Sequence, residues 1–360
     1  MNEFRPGLEG VVAFETEIAE PDREGGALRY RGVDIAELVG HVPYEKVWGL
    51  LVDESLESGM PDPEPYEPKS LTGNAPSDLQ AETARLSSEW NLRKLVDIGP
   101  EEVRDDLARL SAQMMSIVAK SAAVHDGREP APDEVVEQGQ TAAEKFLLRW
   151  RGEADPDHVK AIDTYWICTA EHGLNASTFT ARVTASTGAD AGAAMSAAVG
   201  ALSGPLHGGA PARVLPMLDE VEASGDPEGY VRDLLGRRGR IMGFGHRVYR
   251  AEDPRSRILK QAARELGSPR YEVAEALEEA ALAALRELKP DYVIATNVEF
   301  YSAVVLDVAE VPPELTPAMF ATARVAGWSA HILEEKRTGR LIRPSARYVG
   351  PPSRSIASVG

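Results

Sequence analysis

The spacing of apolar residues divides the chain into a short start with strand character and a long helical remainder. Residues 10–32, GVVAFETEIAEPDREGGALRYRG, alternate β-branched and polar positions on both sides of a Gly-Gly break, a pattern that predicts a β-hairpin. After residue 31, strand signals are few and apolar residues recur three and four positions apart. The sequence therefore predicts a mostly α fold with one small N-terminal sheet.

Helical spacing predicts the individual helices. They are expected within residues 43–54, 100–123, 133–152, 155–173, 176–204, 270–290 and 316–339. Residues 176–204 are crowded with Ala, Ser, Thr and Gly, which allow close packing and predict a buried helix pair. The proline-rich residues 61–78 and the tail RPSARYVGPPSRS are expected to be irregular or extended.

Length and composition indicate a folded protein of two domains, or one large domain with an appended lobe. The chain has 360 residues, of which 43% are hydrophobic and 27% charged, and 360 residues exceed the usual size of one core. No run of eighteen apolar residues occurs, and the start MNEFRPGLEG lacks the layout of a secretory signal. These features predict a soluble cytoplasmic protein. The single cysteine, Cys168, is expected to be buried as a small hydrophobe.

Charge is unevenly distributed along the chain. The formal net charge of -18 argues against nucleic acid or an anionic membrane as a partner. Yet residues 232–264 hold nine arginines and one lysine against three acids, a local charge of +7. This window indicates either a site for a small anionic ligand or a set of solvated helix faces.

Common catalytic and cofactor motifs are missing from the sequence. The chain has no GxxxxGK[ST], HExxH, CxxC or GxSxG motif, and GFGHRV has no third glycine for a dinucleotide fingerprint. His172, His207 and His246 lack the spacing of zinc ligands, so no metal site is predicted.

Two histidines in glycine turns are the best candidates for chemistry. His207 in SGPLHGGAPARV and His246 in GFGHRVYRAEDPR both lie where the backbone turns sharply and a ligand could approach closely. The alternative for either histidine is a structural role, with the ring buried and hydrogen-bonded in the core. Glu299 in NVEFYS opens an apolar helical run, where an acid usually serves as a helix cap.

These motifs, with EHGLNASTFTARV and LIRPSARYVGP, resemble in order and spacing those of the citrate synthase family. The likeness extends through GLEGVVAFETEIAE and GGALRYRGVDIAELV, and the length resembles the short bacterial type. The resemblance implies condensation of oxaloacetate with acetyl-CoA, followed by hydrolysis of the thioester. It implies no cofactor beyond acetyl-CoA as co-substrate.

The resemblance assigns roles to individual residues. His207 would donate to the thioester carbonyl, where a fixed donor stabilises an enolate by roughly 3 to 4 kcal/mol, and His246 would polarise the oxaloacetate ketone. Oxaloacetate would be bound by His172, Arg255, Arg324 and Arg343. The last of these would reach across the interface of a homodimer. CoA would be bound by Met242, Gly243, Phe244, Gly245, Arg250 and Asn297.

One position departs from the family pattern. Glu299 stands where the family has an aspartate that removes the methyl proton. The additional methylene moves the carboxylate by about 1 Å, and a displacement of that size can lower a rate roughly a hundredfold.

The resemblance also implies a domain division and leaves rival activities open. Residues 1–213 and 313–360 would form a large helical domain, and residues 214–312 a small CoA-binding domain that closes over the substrate. A 2-methylcitrate synthase that uses propionyl-CoA would carry the same motifs, and one methylene discriminates by only ~1 to 3 kcal/mol. A weakly catalytic acyl-CoA-binding paralogue is the third interpretation.

Overall fold

Helices dominate the computed structural model of the chain, which describes residues 4–22, 24, 26–208, 213–245, 252–290 and 292–356. Within these residues lie fourteen α-helices and one three-stranded sheet. The helices are α1 (Tyr44–Asp53), α2 (Ala75–Glu89), α3 (Pro100–His125), α4 (Asp133–Val136), α5 (Ala142–Arg151), α6 (Pro156–Thr169), α7 (Ala176–Ser186), α8 (Ala191–Leu202), α9 (Val214–Ser224), α10 (Pro227–Gly236), α11 (Pro254–Glu265), α12 (Tyr271–Leu288), α13 (Val298–Val308) and α14 (Thr316–Thr338). The prediction of a mostly α fold is confirmed.

The sheet is the predicted N-terminal hairpin with one short strand added. Strands β1 (Ala19–Asp22) and β2 (Ala27–Tyr30) pair antiparallel, and β3 (Val33–Asp34) pairs antiparallel with β2. The turn between the first two strands includes Gly26 at φ +62°, a conformation that glycine adopts without steric cost. Burial of the β2 residues Leu28 and Tyr30 anchors the hairpin on the helices.

The centre of the molecule is formed by α3, α6 and α14, which are long and extensively buried. A polar link also crosses this core: the Trp48 indole N–H donates to Ser111 Oγ at 3.1 Å, and Ser111 Oγ lies 3.0 Å from Ser329 Oγ. Because these three residues belong to α1, α3 and α14, the link fixes those helices relative to one another.

The stretch rich in small residues forms the predicted helix pair, α7 and α8. The helices pack closely, and α8 also packs on α2. A side chain at Gly192 or Gly200 would meet Thr83 or Gln80 on α2, so glycine at these positions permits the close approach.

Residues 133–152 differ from the single predicted helix. The structure divides them into α4 and α5, with a break at residues 137–141. The Thr141 side chain accepts from the Glu144 backbone N–H, and Glu144 accepts from that of Thr141. This capping box starts a new helix, a local signal that outweighs the continuous apolar period.

The range predicted as the small domain holds helices α9 to α13, of which α11 and α13 also pack on α6. Its boundaries at residues 214 and 312 stay predictions. No described helix is long and apolar enough to cross a membrane. Cys168 is fully buried, as expected, and burial raises the pKa of its thiol.

Candidate active site

His207 lies just after α8, at the N-terminal end of α7 in space. Its Nε2 is 2.9 Å from Ser177 Oγ and accepts the Ser177 backbone N–H at 3.4 Å. Because a backbone N–H can only donate, Nε2 is the acceptor, and the proton of the neutral ring is on Nδ1. The Trp328 indole N–H donates to Ser177 Oγ at 3.2 Å and holds this hydroxyl in place.

The surroundings of His207 keep its ring uncharged. Burial, followed by the positive charge of Arg324, lowers the pKa of His207 from 6.5 to about 4. The ring also meets Phe320 edge-on, with centroids 6.0 Å apart. His207 is therefore a neutral imidazole whose Nδ1–H can donate without first transferring its proton.

Arg324 is a buried cation in the middle of α14. Its Nε donates to the Thr169 carbonyl at 2.8 Å, and its guanidinium lies 4.6 Å from the Phe320 ring centre. Within the described residues, its Nη1 is buried and has no hydrogen-bond partner. Burial lowers the pKa of Arg324, and the nearby Glu171 carboxylate opposes this effect. A buried guanidinium with donors to spare suits a carboxylate ligand.

Arg255 and Asp253 form a buried ion pair at the start of α11. Arg255 donates from Nε and Nη2 to the two carboxylate oxygens of Asp253, at 2.9 and 2.8 Å. The same carboxylate accepts the Arg255 backbone N–H, at 3.1 Å, and the Val298 backbone N–H, at 3.0 Å. Asp253 therefore caps α11 and at the same time binds the first turn of α13, which carries Glu299.

Glu299 lies in the first turn of α13 with its side chain partly buried. Burial raises the pKa of Glu299, while Arg255 and Arg240 oppose this rise and Asp253 adds to it. A carboxylate with a raised pKa accepts a proton more readily than an exposed one. The position at the helix start also makes Glu299 a favourable partner for the helix dipole. A role at the helix start and a role as proton acceptor are therefore compatible.

The segment 242–245 lies beside the residues that precede Glu299. The Gly245 N–H donates to the Ala295 carbonyl at 2.8 Å, and the Asn297 N–H donates to the Gly243 carbonyl at 2.9 Å. Gly243 has φ +87°, and an added Cβ would lie 2.7 Å from the Phe300 Cβ, so this close approach requires glycine.

Both polar atoms of the Asn297 side chain make hydrogen bonds within the chain. Oδ1 accepts the Glu299 N–H at 2.9 Å and caps α13, while Nδ2 donates to the Gly245 carbonyl at 3.0 Å. Asn297 therefore joins the two segments. Its assignment to CoA stays a prediction, as do those of Met242, Gly243, Phe244 and Gly245.

Electrostatic effects connect several of the predicted residues in one region. Arg324 acts on His207 and is itself acted on by Arg255, and Arg255 acts on Glu299. Tyr165, with a pKa raised by burial, is influenced by both Arg324 and Glu299. The structure thus brings four predicted residues into one region around α6, α11, α13 and α14: His207, Arg255, Glu299 and Arg324.

The remaining predicted residues are placed as follows. His172 is partly buried and follows Glu171 in the segment after α6. Arg343 is exposed on the extended segment after α14. His246 and Arg250 lie outside the described residues. In the described part of the chain, no group of three His, Cys, Asp or Glu side chains could hold a metal ion.

Sequence reasoning missed four residues around this region. They are Ser177, which holds His207, and the buried set Glu171, Arg182 and His331. His331 follows Arg324 by seven positions on a predicted helix, a spacing that places both on one face. That spacing was the available signal for His331.

Comparisons with known proteins assign the chain to a family. Residues 7–345 match the family described as citrate synthase, C-terminal domain. The chain is 58% identical over 358 residues to "Putative citrate synthase 2" of Mycobacterium tuberculosis, covering 99% of this chain and 95% of the relative. It is 37% identical over 377 residues to citrate synthase of Haloferax volcanii, covering 97% and 96%.

A solved structure extends the likeness to the fold. Citrate synthase of Thermoplasma acidophilum superposes on this chain with a TM-score of 0.84 at 28% identity, covering 99% of this chain and 100% of that one. That protein was solved with carboxymethyl coenzyme A and oxaloacetate. Because the match spans nearly the whole chain in both sequence and fold, this protein belongs to the citrate synthase family of acyl-transferring enzymes.

Proposed function

We propose that this protein condenses acetyl-CoA with oxaloacetate and hydrolyses the resulting thioester to give citrate and CoA, acting in the cytoplasm. The observation that carries the proposal is the fixed, neutral His207, with Nε2 engaged by Ser177 and Nδ1–H left to donate. Removal of a methyl proton beside a thioester requires such a donor at the developing enolate oxygen. The buried arginines nearby supply the charge that a substrate with two carboxylates needs.

The steps follow from the residues in order. Glu299, as a carboxylate, removes a methyl proton while His207 donates to the carbonyl oxygen of the thioester. The enolate carbon then attacks the ketone of oxaloacetate, whose carboxylates are held by Arg255 and Arg324. By family resemblance, His246 protonates the alkoxide that forms. Water then cleaves the thioester and releases CoA.

Thiol release is the direct test of this activity. Purified enzyme is assayed with acetyl-CoA and propionyl-CoA, each against oxaloacetate and other 2-oxo acids. We expect CoA release with oxaloacetate and a higher kcat/KM for acetyl-CoA. A higher value for propionyl-CoA would make this a 2-methylcitrate synthase, and tight ligand binding without thiol release would favour a non-catalytic paralogue.

The identity of the base is tested at Glu299. Glu299→Gln keeps the shape of the side chain but removes the base, so we expect turnover to fall by about a hundredfold or more. Glu299→Asp restores the family residue and shortens its reach by one methylene, so it should change turnover more than the affinity for oxaloacetate. Parental turnover in Glu299→Gln would contradict the assignment.

A further inference from the structure

Three fully buried side chains form a hydrogen-bonded row beside Arg324. The Arg182 guanidinium contacts His331 Nδ1 at 3.0 Å, and His331 Nε2 lies 3.2 Å from Glu171 Oε1. Each of the three residues is at most 2% exposed. Arg182 is held in turn by Glu335, with Nε to Oε2 at 3.0 Å. We call Arg182, His331 and Glu171 the buried row.

The buried row has one consistent direction of donation. A guanidinium has donors only, so His331 Nδ1 must accept from Arg182. The proton of the neutral ring is then on Nε2, which donates to the Glu171 carboxylate. Because Nδ1 faces the Arg182 guanidinium, this geometry fixes the donation from Nε2 to Glu171.

The other side of Glu171 fits against the backbone of α14. A Cβ on Gly327 would lie 2.6 Å from the Ala170 carbonyl oxygen and would also overlap Glu171 Oε2. Oε2 itself is buried and, within the described residues, has no hydrogen-bond partner. The Glu171 carboxylate is therefore held by His331 on one oxygen and enclosed by packing on the other.

The buried row connects the elements that carry the proposed oxaloacetate site. Glu171 directly precedes His172, and its charge acts on Arg324, which shares α14 with His331. Arg182 lies on α7, whose first turn holds Ser177 against His207. A displacement of Glu171 would therefore move the His172 segment relative to Arg324.

We propose that His331 is a positioning residue for oxaloacetate binding, because it fixes Glu171 and, through Glu171, the spacing between the His172 segment and Arg324. This inference rests on the proposed function, since it assigns oxaloacetate to that site. His331 and Glu171 act by placing other groups and need not touch the substrate.

The test compares two substitutions at one position. His331→Phe keeps the ring shape but neither accepts from Arg182 nor donates to Glu171. His331→Gln can do both, through its amide oxygen and its NH₂ group. We expect His331→Phe to raise the KM for oxaloacetate and its calorimetric dissociation constant about tenfold or more, with the KM for acetyl-CoA little changed. His331→Gln should restore both values to within about threefold.

Ile332→Ala is the control for a loss of core packing, because Ile332 is fully buried next to His331 on the same helix. It should lower the melting temperature without changing oxaloacetate affinity. Equal rises in KM for His331→Phe and Ile332→Ala, or unchanged affinity in His331→Phe, would overturn the proposal.

A second variant keeps the test decisive if His331→Phe does not fold. Glu171→Asp retains the charge but withdraws the carboxylate from His331, so positioning predicts weaker oxaloacetate binding, whereas unchanged binding would contradict it. Oxaloacetate binding by the parent enzyme distinguishes a failure of the proposed function from a failure of the role of His331. If the parent itself binds no oxaloacetate, the proposed function fails; if the parent binds it and the variants bind equally well, only the role of His331 fails.

Discussion

At the scale of single residues, burial determines which protonation states are available to the site. His207 is neutral because its ring is desolvated and faces the Arg324 cation, and both effects penalise a second proton. Desolvation also penalises the charged form of Glu299, but because that form is an anion, its pKa is raised. Burial thus supplies a neutral hydrogen-bond donor, His207, and a carboxyl group, Glu299, whose pKa lies above its ordinary value.

The lowered pKa of His207 predicts a pH-dependent loss of stability. The folded protein holds this ring with a pKa of about 4, against 6.5 when unfolded, so the unfolded chain binds more protons below pH 6.5. The free energy of unfolding should therefore fall as the pH drops from about 6.5 to about 4. His207→Asn should reduce the loss between pH 7 and pH 5 by about 1–2 kcal/mol.

Urea unfolding at the two pH values measures this effect. His41→Asn is the control, because His41 is exposed and its replacement should leave the pH dependence as in the parent. An equal loss of stability in the parent and His207→Asn would show that the ring is not held neutral by the fold.

At the scale of elements, short polar contacts hold the catalytic segments together. Asp253 binds the first turns of both α11 and α13, and Asn297 joins α13 to the segment that ends at Gly245. The Asp253 carboxylate and Asn297 Oδ1 accept backbone N–H groups at helix N-termini, which lack partners within the helix. These polar contacts, together with the close packing of Gly243 on Phe300, determine where Glu299 lies relative to residues 242–245.

Two substitutions at Asn297 separate its two contacts. Asn297→Asp keeps an oxygen to accept the Glu299 N–H but replaces the donor to the Gly245 carbonyl by a second acceptor, so stability should fall by about 1 kcal/mol and kcat about tenfold or more. Asn297→Ala loses both contacts and should in addition cost about 1 kcal/mol of stability. Thermal unfolding and steady-state kinetics measure the pair, and a kcat for Asn297→Asp equal to that of the parent would contradict the positioning role.

Gly327→Ala tests the close contact between α14 and residues 170–171. A methyl group there has no room beside the Ala170 carbonyl, so we expect a loss of about 1–3 kcal/mol in the free energy of unfolding. Gly236→Ala is the matched helical control, because an added Cβ would meet nothing within 4 Å. That control should be neutral or stabilising by about 0.4–1 kcal/mol. If Gly327→Ala were as stable as the parent, residues 170–171 would have to shift to make room for the added methyl group.

At the scale of the whole molecule, an extended arm follows α14. After α14, residues 339–350 have no helix or strand and are largely exposed, and the Ile342 N–H donates to Ser186 Oγ at 3.1 Å. Leu341, Tyr348 and Val349 expose large apolar side chains along this arm. Such a surface favours contact with a second copy of the chain, and we propose, as the family resemblance implies, that Arg343 completes the site of a partner subunit.

Mixed dimers test that proposal. Arg343→Ala and Glu299→Gln should each have little activity alone. If Arg343 acts across the interface, a mixed dimer contains one site with an intact Glu299 and an intact arginine, so co-refolded protein should regain about a quarter of parental activity. No recovery, with mixed dimers verified by mass spectrometry, would place Arg343 in the site of its own subunit.

The sequence by itself determined the fold class, most of the helices and the family. Periodicity of apolar residues predicted the hairpin and α3, α6, α12 and α14, because burial of one face requires that spacing. Its failures were local: the capping box at Thr141 divided one predicted helix, and α2, α9 and α10 were not predicted. The motifs indicated the chemistry, because glycine turns and an acid at a helix start are visible in any one segment.

Only the tertiary structure decided which groups meet. The tautomer of His207 depends on Ser177, 30 positions away, and its neutrality depends on burial and on Arg324, 117 positions away. The buried row likewise joins residues from α7, α14 and the segment after α6. Burial and charge act through space, whereas periodicity reports only on neighbours along the chain. The sequence thus determined the secondary structure and the motif of most segments. Folding determined which groups meet and in which direction their pKa values shift.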